Sequence, residues 1–158
     1  MPLRGVVFII SAVNTKNYHL VILKKPYVDA ILAGRKTIES RFTRAKHSFI
    51  SQIKQGDILL LKASSGPVCG QASVSAVRHF EDLTPAKMTD IKRQYNEHIL
   101  GSDEYWKGKA GCRFGFLAWL EDVRPVKPRF ISKKDWRSWV VLTPKENFGL
   151  LKDPSRKV

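Results

Sequence analysis

Acidic residues are scarce in this sequence. Fourteen Asp and Glu stand against twenty-eight Lys and Arg, so the chain carries a formal charge of +14. Cysteine is nearly missing as well. Cys69 and Cys112 lie far apart with no CxxC pair, which excludes a zinc ribbon and a disulfide framework. Two free thiols in a cytoplasmic protein are the expectation. Long hydrophobic runs are also lacking. The longest, Val6–Ile10 and Ile58–Leu61, are strand-sized, far below the roughly eighteen apolar residues of a membrane span. His19, His47, His79 and His98 are scattered without ligand spacing, so no metal site is expected. There is no phosphate-binding Walker loop, no nucleophile elbow and no HExxH helix, and no cofactor is expected.

What the sequence does contain is a globular composition, 43% hydrophobic and 10% aromatic. That excludes an intrinsically disordered chain. At 158 residues it fits one domain with a core able to stand without metals or disulfides. A small domain at this charge repels itself, and a polyanion is the partner that relieves it. Nucleic acid ranks ahead of an acidic membrane. A cytoplasmic setting is the expectation, with nucleoid or nucleus left open for a nucleic-acid binder. The opening residues do not read as a secretory leader, because the apolar stretch is short and no small-x-small cleavage site follows it. Residues 1–17 read as an N-terminal extension, with Val6–Ala12 as an extra strand.

The pattern along the chain predicts several elements. Tyr18–Leu23 is strand-like. Pro26 stands at a helix start, Tyr27, Val28, Ile31 and Leu32 form one helical face, and Gly34 stops the helix. Thr37–Phe42 alternates as a strand, with Ile38, Ser40 and Phe42 on one side and Thr37, Glu39 and Arg41 on the other. Ile58–Ala63 and Val68–Val77 follow as strands, Gly70 marking a bulge. Thr84 caps and Pro85 opens the longest helix, with Met88, Ile91, Tyr95 and Ile99 on its apolar face and Gly101 at its end. Gly108–Gly111 reads as a loop. Phe114–Val123 is a long strand that Pro125 and Pro128 should end. Ser132 and Asp135 suggest a capped helix, and Ser138–Leu142 a closing strand. The tail 143–158 is expected to be loosely held. Strands that do not alternate regularly with helices point to an α+β fold with a curved sheet or small barrel.

The most informative stretch is Ala30-Ile31-Leu32-Ala33-Gly34-Arg35-Lys36-Thr37-Ile38-Glu39-Ser40-Arg41. It has the form helix, then Gly-x-Lys-x-x-Glu-x-Arg. With Leu23-Lys24-Lys25-Pro26-Tyr27 before it and Gly56-Asp57 opening a strand after it, this stretch resembles the signature of the ASCH domain, a branch of the PUA-like superfamily. Tyr105-Trp106 and Phe116–Val123 are similar to the late barrel strands of such domains. The resemblance spans residues 18–142. It implies a PUA-like small β-barrel of about six strands with two to three flanking helices and a cleft beside the first helix. It also implies binding of RNA, in some relatives at a modified base. Some small ASCH proteins hydrolyse N4-acetylcytidine at its acetyl amide, and another has been described as a ribonuclease.

In the amidohydrolases the motif Lys, a Thr three residues later and a distal Glu form the catalytic set. Lys36 matches that Lys and Arg41 matches the motif Arg. Glu39 stands where the hydrolases have Thr, so the matching hydroxyl is missing. Thr37 is near but not at that position. Glu97 and Glu104 are the distal Glu candidates by chain order. Were the protein an enzyme, Lys36 and Glu39 would be its catalytic residues.

Physical chemistry favours a binding role for the cluster. A carboxylate between two cations is a poor general base near neutrality. It is better placed to hold Lys36 and Arg41, which could then grip a phosphate or a base carbonyl. Arg35 is expected to face solvent as a phosphate contact. Tyr105 and Trp106, beside Lys107 and Lys109, could stack on a base. Trp136 and Trp139, among Lys133, Lys134 and Arg137, read as a helix with its tryptophans turned inward. Lys62, Ser64 and Ser65 read as a polar turn.

Overall fold

A computed structural model describes residues 15–151 of the chain. The strand expected at Val6–Ala12 lies outside them. Six strands form one sheet: β1 (Tyr18–Leu23), β2 (Ile38–Thr43), β3 (Ile58–Ala63), β4 (Val68–Phe80), β5 (Phe114–Arg129) and β6 (Trp139–Leu142). Four helices accompany them: α1 (Lys25–Leu32), α2 (Ser48–Gln52), α3 (Pro85–Ile99) and α4 (Asp103–Lys109). The sheet order is β2-β5-β4-β3-β1-β6, and the sheet curls into a half-barrel, the α+β architecture expected. β1 and β3 run parallel, with Tyr18 opposite Ile58 and Leu23 opposite Ala63. The other pairs are antiparallel.

Both faces of β1, β2 and β3 are covered, so burial runs on through consecutive residues there, whereas β4 alternates buried with half-buried residues over its first half. Inside the curl, Val21, Leu59, Leu61, Phe116 and Trp139 pack with Val28 and Ile31 of α1. Outside it, Ile38, Phe42 and Leu117 pack against Met88, Ile91 and Ile99 of α3 and Trp106 of α4. Each such aliphatic side chain contributes roughly 1.5–3 kcal/mol on burial. A third cluster joins Leu20, Val68, Val140 and Leu142 to Phe148, Leu150 and Leu151. The described part of the tail is therefore packed rather than loose.

Thr84 caps α3 as expected, its hydroxyl accepting from Lys87 N–H. Gly34 adopts a left-handed φ of 78° just after α1, the conformation that glycine takes without steric penalty. The bulge at Gly70 is present as a register shift between Val68 and Gly70.

Four further local expectations fail, each for a physical reason. β5 continues past Pro125 and Pro128 to Arg129. Its second half pairs with β4 alone, because β2 ends opposite Phe114–Trp119. A strand with one neighbour tolerates the N–H that proline lacks. No helix follows Ser132; Asp135 instead accepts from Lys133 and Arg137, a side-chain bracket that competes with helix formation. Trp136 is accordingly 99% exposed, while Trp139 is buried on β6. Helix α4 occupies part of the segment read as loop. Its signals are a Ser102 cap, Asp103 and Glu104 in the first turn, and Lys107 and Lys109 in the last. Those charges complement the helix dipole, and Gly108 obscured them. Finally, β2 is buried on both sides, Glu39 and Ser40 alike, so its ionic face points into the protein.

Candidate functional site

Lys36 is placed by the end of α1. The N–H groups of Arg35 and Lys36 both donate to Ala30 O, at 2.9 and 3.1 Å, and the chain then turns into β2. Thr37 N–H donates to His98 O, which docks the turn on the end of α3. This directs the Lys36 side chain inward, to 4% exposure. Its ammonium donates to Ile99 O at 2.5 Å and Ile38 O at 3.0 Å. It lies 3.7 Å from Glu39 Oε2 and 5.3 Å from the centre of the Tyr27 ring. Burial pushes the Lys36 pKa below its ordinary value, and the Glu39 charge partly restores it.

Glu39 is equally buried, at 3%. Its Oε1 accepts from Arg41 Nε at 2.9 Å, two residues along the same strand face. Its Oε2 has no hydrogen-bond partner. Arg41 does more than pair with Glu39. β2 and β6 are the two edges of the sheet, and Arg41 reaches across the gap between them. Nη1 donates to Ser138 Oγ at 2.8 Å, and Nη2 to Ile22 O of β1 at 3.1 Å. The guanidinium also lies over the Trp139 ring, 5.2 Å from its centre. A planar fork of donors suits this task. One side chain thus stitches the open seam of the half-barrel.

The opposite wall is the α3–α4 corner. Leu100, not Gly101, takes the left-handed conformation there, with φ of 60°. Gly101 is required for space instead. A Cβ on it would fall 2.7 Å from both Trp106 Nε1 and Tyr105 Cδ1. Asn96 clamps the corner, accepting from Gly101 N–H and from Trp106 Nε1 and donating to Gly101 O. Tyr105 then projects toward β2, where its hydroxyl meets Ser40 Oγ at 2.7 Å. Burial drives the Tyr105 phenol well above its usual pKa, so it is a neutral hydroxyl at physiological pH.

Between these walls lies a cleft of about 410 Å³. Lys36, Glu39, Arg41, Ser40, Tyr105 and Tyr27 line it, with Lys24, Lys109 and Glu104 among its other lining residues. Four of the residues expected from sequence, Lys36, Glu39, Arg41 and Tyr105, are thereby brought together. Arg35 is exposed and outside the cleft. Trp106 is 5% exposed and packs in the core beneath α3, behind Tyr105. Glu104 borders the cleft, whereas Glu97, Thr37, Lys62, Ser64 and Ser65 do not. Sequence reasoning missed Asn96 and gave Ser40 no role. The Ser102 cap that opens α4 is the local signal from which Tyr105 could have been placed on a helix facing β2. The two cations expected to grip a ligand are engaged largely by the fold. Lys36 donates to Ile38 O and Ile99 O and ion-pairs with Glu39 without a hydrogen bond, and every Arg41 nitrogen already has a partner. Among the described residues no His, Cys, Asp and Glu cluster could hold a metal ion, and no helix is long and apolar enough to cross a membrane.

No curated protein matches the chain at a significant level. Solved structures do. The ASCH protein of Zymomonas mobilis is 17% identical, covering 82% of this chain and 90% of its own, with a TM-score of 0.63. A single-substitution variant of that protein gives 0.62 over the same share of both chains, again at 17% identity. These likenesses show the fold. The N-terminal domain of McrB from Thermococcus gammatolerans, solved bound to methylcytosine DNA, is 6% identical, with a TM-score of 0.48 over 83% of this chain and 92% of its own. That match is too distant to bear on function. The family model described as ASCH domain matches residues 21–118, more than half of the chain and the whole of the helix–turn–strand unit that carries the cleft. With the half-barrel agreeing, the chain belongs to the ASCH domain family, with its PUA-like fold.

Proposed function

We propose that residues 18–142 bind nucleic acid, RNA foremost, and seat one nucleotide in the cleft, with room there for a modified base. The observation that carries this reading is the cleft itself. Its volume of about 410 Å³ falls in the roughly 300–1,000 Å³ range of small-ligand sites. Its floor is built from buried charged groups and hydroxyls in a chain of net charge +14. Glu39 Oε2 and the Ser40–Tyr105 hydroxyl pair supply polar groups of the kind that fix a base. Lys24 and Lys109 stand at the border for phosphates. The family membership supports the reading, since PUA-like domains are the resemblance that implied RNA.

The test is the salt dependence of binding to a labelled single-stranded RNA. Affinity is expected to fall steeply and linearly on a double-logarithmic plot as phosphate-bound counterions are released. A flat response overturns the proposal.

A second reading, a hydrolase acting on N4-acetylcytidine or on RNA, draws support from one observation. Burial lowers the pKa of the Lys36 ammonium from its ordinary value, the direction that a catalytic lysine needs. Against it stands Glu39 at the position of the hydrolase Thr. Incubation of the protein with N4-acetylcytidine and with mixed RNA, followed by mass spectrometry, separates the readings. Turnover that disappears in Lys36→Met would establish the enzyme.

A further inference from the structure

The loop before β6 holds a feature that the cleft does not use. Trp136 is 99% exposed, an unusual state for the largest apolar side chain. Its neighbours in the chain are joined by a network of surface ion pairs. The Asp135 carboxylate accepts from Lys133 Nζ at 2.8 Å and from Arg137 N–H, Nε and Nη2 at 2.9–3.1 Å. Arg137 also forms a two-pronged pair with Glu146 at 2.8 and 2.9 Å. The residues on both sides of Trp136 are thus tied down, and the indole is displayed on the tip between them.

Its position follows from the next residues. Ser138 O accepts from Ile22 N–H, and Ser138 Oγ accepts from Arg41. Ile22 and Arg41 both line the cleft. Trp136 is therefore two residues from a direct contact of the cleft. Charge singles out the occupant. Asp135 and Glu146 are neutralised by Arg137 and Lys133, while exposed Lys134 stands two residues before Trp136 in the chain and exposed Lys24 borders the cleft.

We propose that Trp136 is a fixed stacking platform for a base of single-stranded nucleic acid, the neighbour of the nucleotide seated in the cleft. The inference rests on the nucleic-acid reading above. An aromatic face accepts any base, and basic residues beside it track the phosphates. Bracing the loop in advance removes the entropy of ordering it on binding. The cleft would select a nucleotide, and Trp136 would hold the strand that contains it without selecting sequence.

The experiment compares wild type, Trp136→Ala and Trp136→Phe in binding a short single-stranded RNA of mixed sequence, by fluorescence anisotropy at fixed salt. Because the side chain is fully exposed, both variants keep the wild-type melting temperature. Trp136→Ala is expected to weaken binding about ten-fold or more, in line with the stacking contribution of one base. Trp136→Phe should recover most of the loss, which a merely structural role would not predict. Unchanged affinity in Trp136→Ala overturns the stacking platform while leaving the cleft reading intact, and would point to a protein partner on this face. A loss that Phe does not recover overturns it as well. If wild type binds no RNA at any salt concentration, both the platform and the nucleic-acid reading fall together.

Discussion

Two buried polar clusters meet at Trp139, and they are finished to different degrees. In the first, the Trp139 indole N–H donates to His19 Nδ1 at 2.9 Å. That ring nitrogen must then be an acceptor, so the proton sits on Nε2 and is donated to Asp57 at 2.8 Å. Asp57 also accepts from the N–H groups of Asn17 and Lys54. Every polar atom has a partner, and His19 and Asp57 are fully buried. In the second cluster, Arg41 lies over the face of the same indole. There Glu39 Oε2 lacks a hydrogen bond, and a cleft opens beside it. Burial of charge alone does not mark a site. A completed network fastens β1 to the turn before β3, while an incomplete one bordering a cleft is where a ligand has something left to do.

The comparison breaks if the first cluster proves dispensable. Asp57→Ala leaves the buried His19 Nε2–H and the part-buried N–H groups of Asn17 and Lys54 without an acceptor, and the buried donor alone costs about 1–3 kcal/mol. The expected loss is about 3 kcal/mol, or a melting temperature lower by about 10 °C in a domain of this size. Chemical denaturation gives the figure, and a loss under about 1 kcal/mol would sink the idea that this network is structural. Arg41→Ala comes next. It opens the seam and frees the Glu39 carboxylate, but the released Ile22 and Ser138 groups lie at a cleft that water reaches. About 2 kcal/mol is expected. Arg41→Lys should recover little, because an ammonium cannot reach Glu39, Ser138 and Ile22 together. Full recovery by Lys would mean that charge rather than the fork holds the seam.

These clusters also show which parts of the molecule could be read in advance. The helix–Gly34–strand unit was legible, because Pro26, the apolar face of α1 and the alternation of β2 are local signals. So were α3 and its Thr84 cap. The Lys36, Glu39 and Arg41 grouping followed from strand periodicity and from the family resemblance. What sequence could not supply was the direction of the cations. Lys36 finds Ile99 O sixty-three positions away, and Arg41 finds Ser138 ninety-seven away. Partners at that separation are set by how the sheet curls. His19 likewise reads as a lone histidine until Asp57 and Trp139 surround it. Trp106 and Tyr105 are neighbours in sequence, yet the α3–α4 corner, closed over Gly101 by Asn96, sends one into the core and the other into the cleft.

The smallest expected effect separates the two sides of the unfinished cluster by pH. Tyr105 has a raised pKa when folded, chiefly from burial. The unfolded chain gives up this proton near the ordinary tyrosine value of about 10, where the folded protein still holds it. Above that pH the unfolded state binds fewer protons, so stability falls. Lys36 has the opposite sign. Its folded pKa is lowered, chiefly by burial, so the folded protein releases the proton first. In the window below the ordinary lysine value of about 10.4 the unfolded state binds more protons, and stability rises with pH. The two slopes oppose each other in wild type. Tyr105→Phe should cost about 1 kcal/mol at neutral pH for the lost Ser40 hydrogen bond, and should then lose less stability than wild type as pH is raised from about 9 to about 11. Lys36→Met should do the reverse and fall more steeply. Urea midpoints across that range read both slopes. Parallel curves for the three proteins would mean that neither group is as sequestered from water as its place in the cleft floor requires.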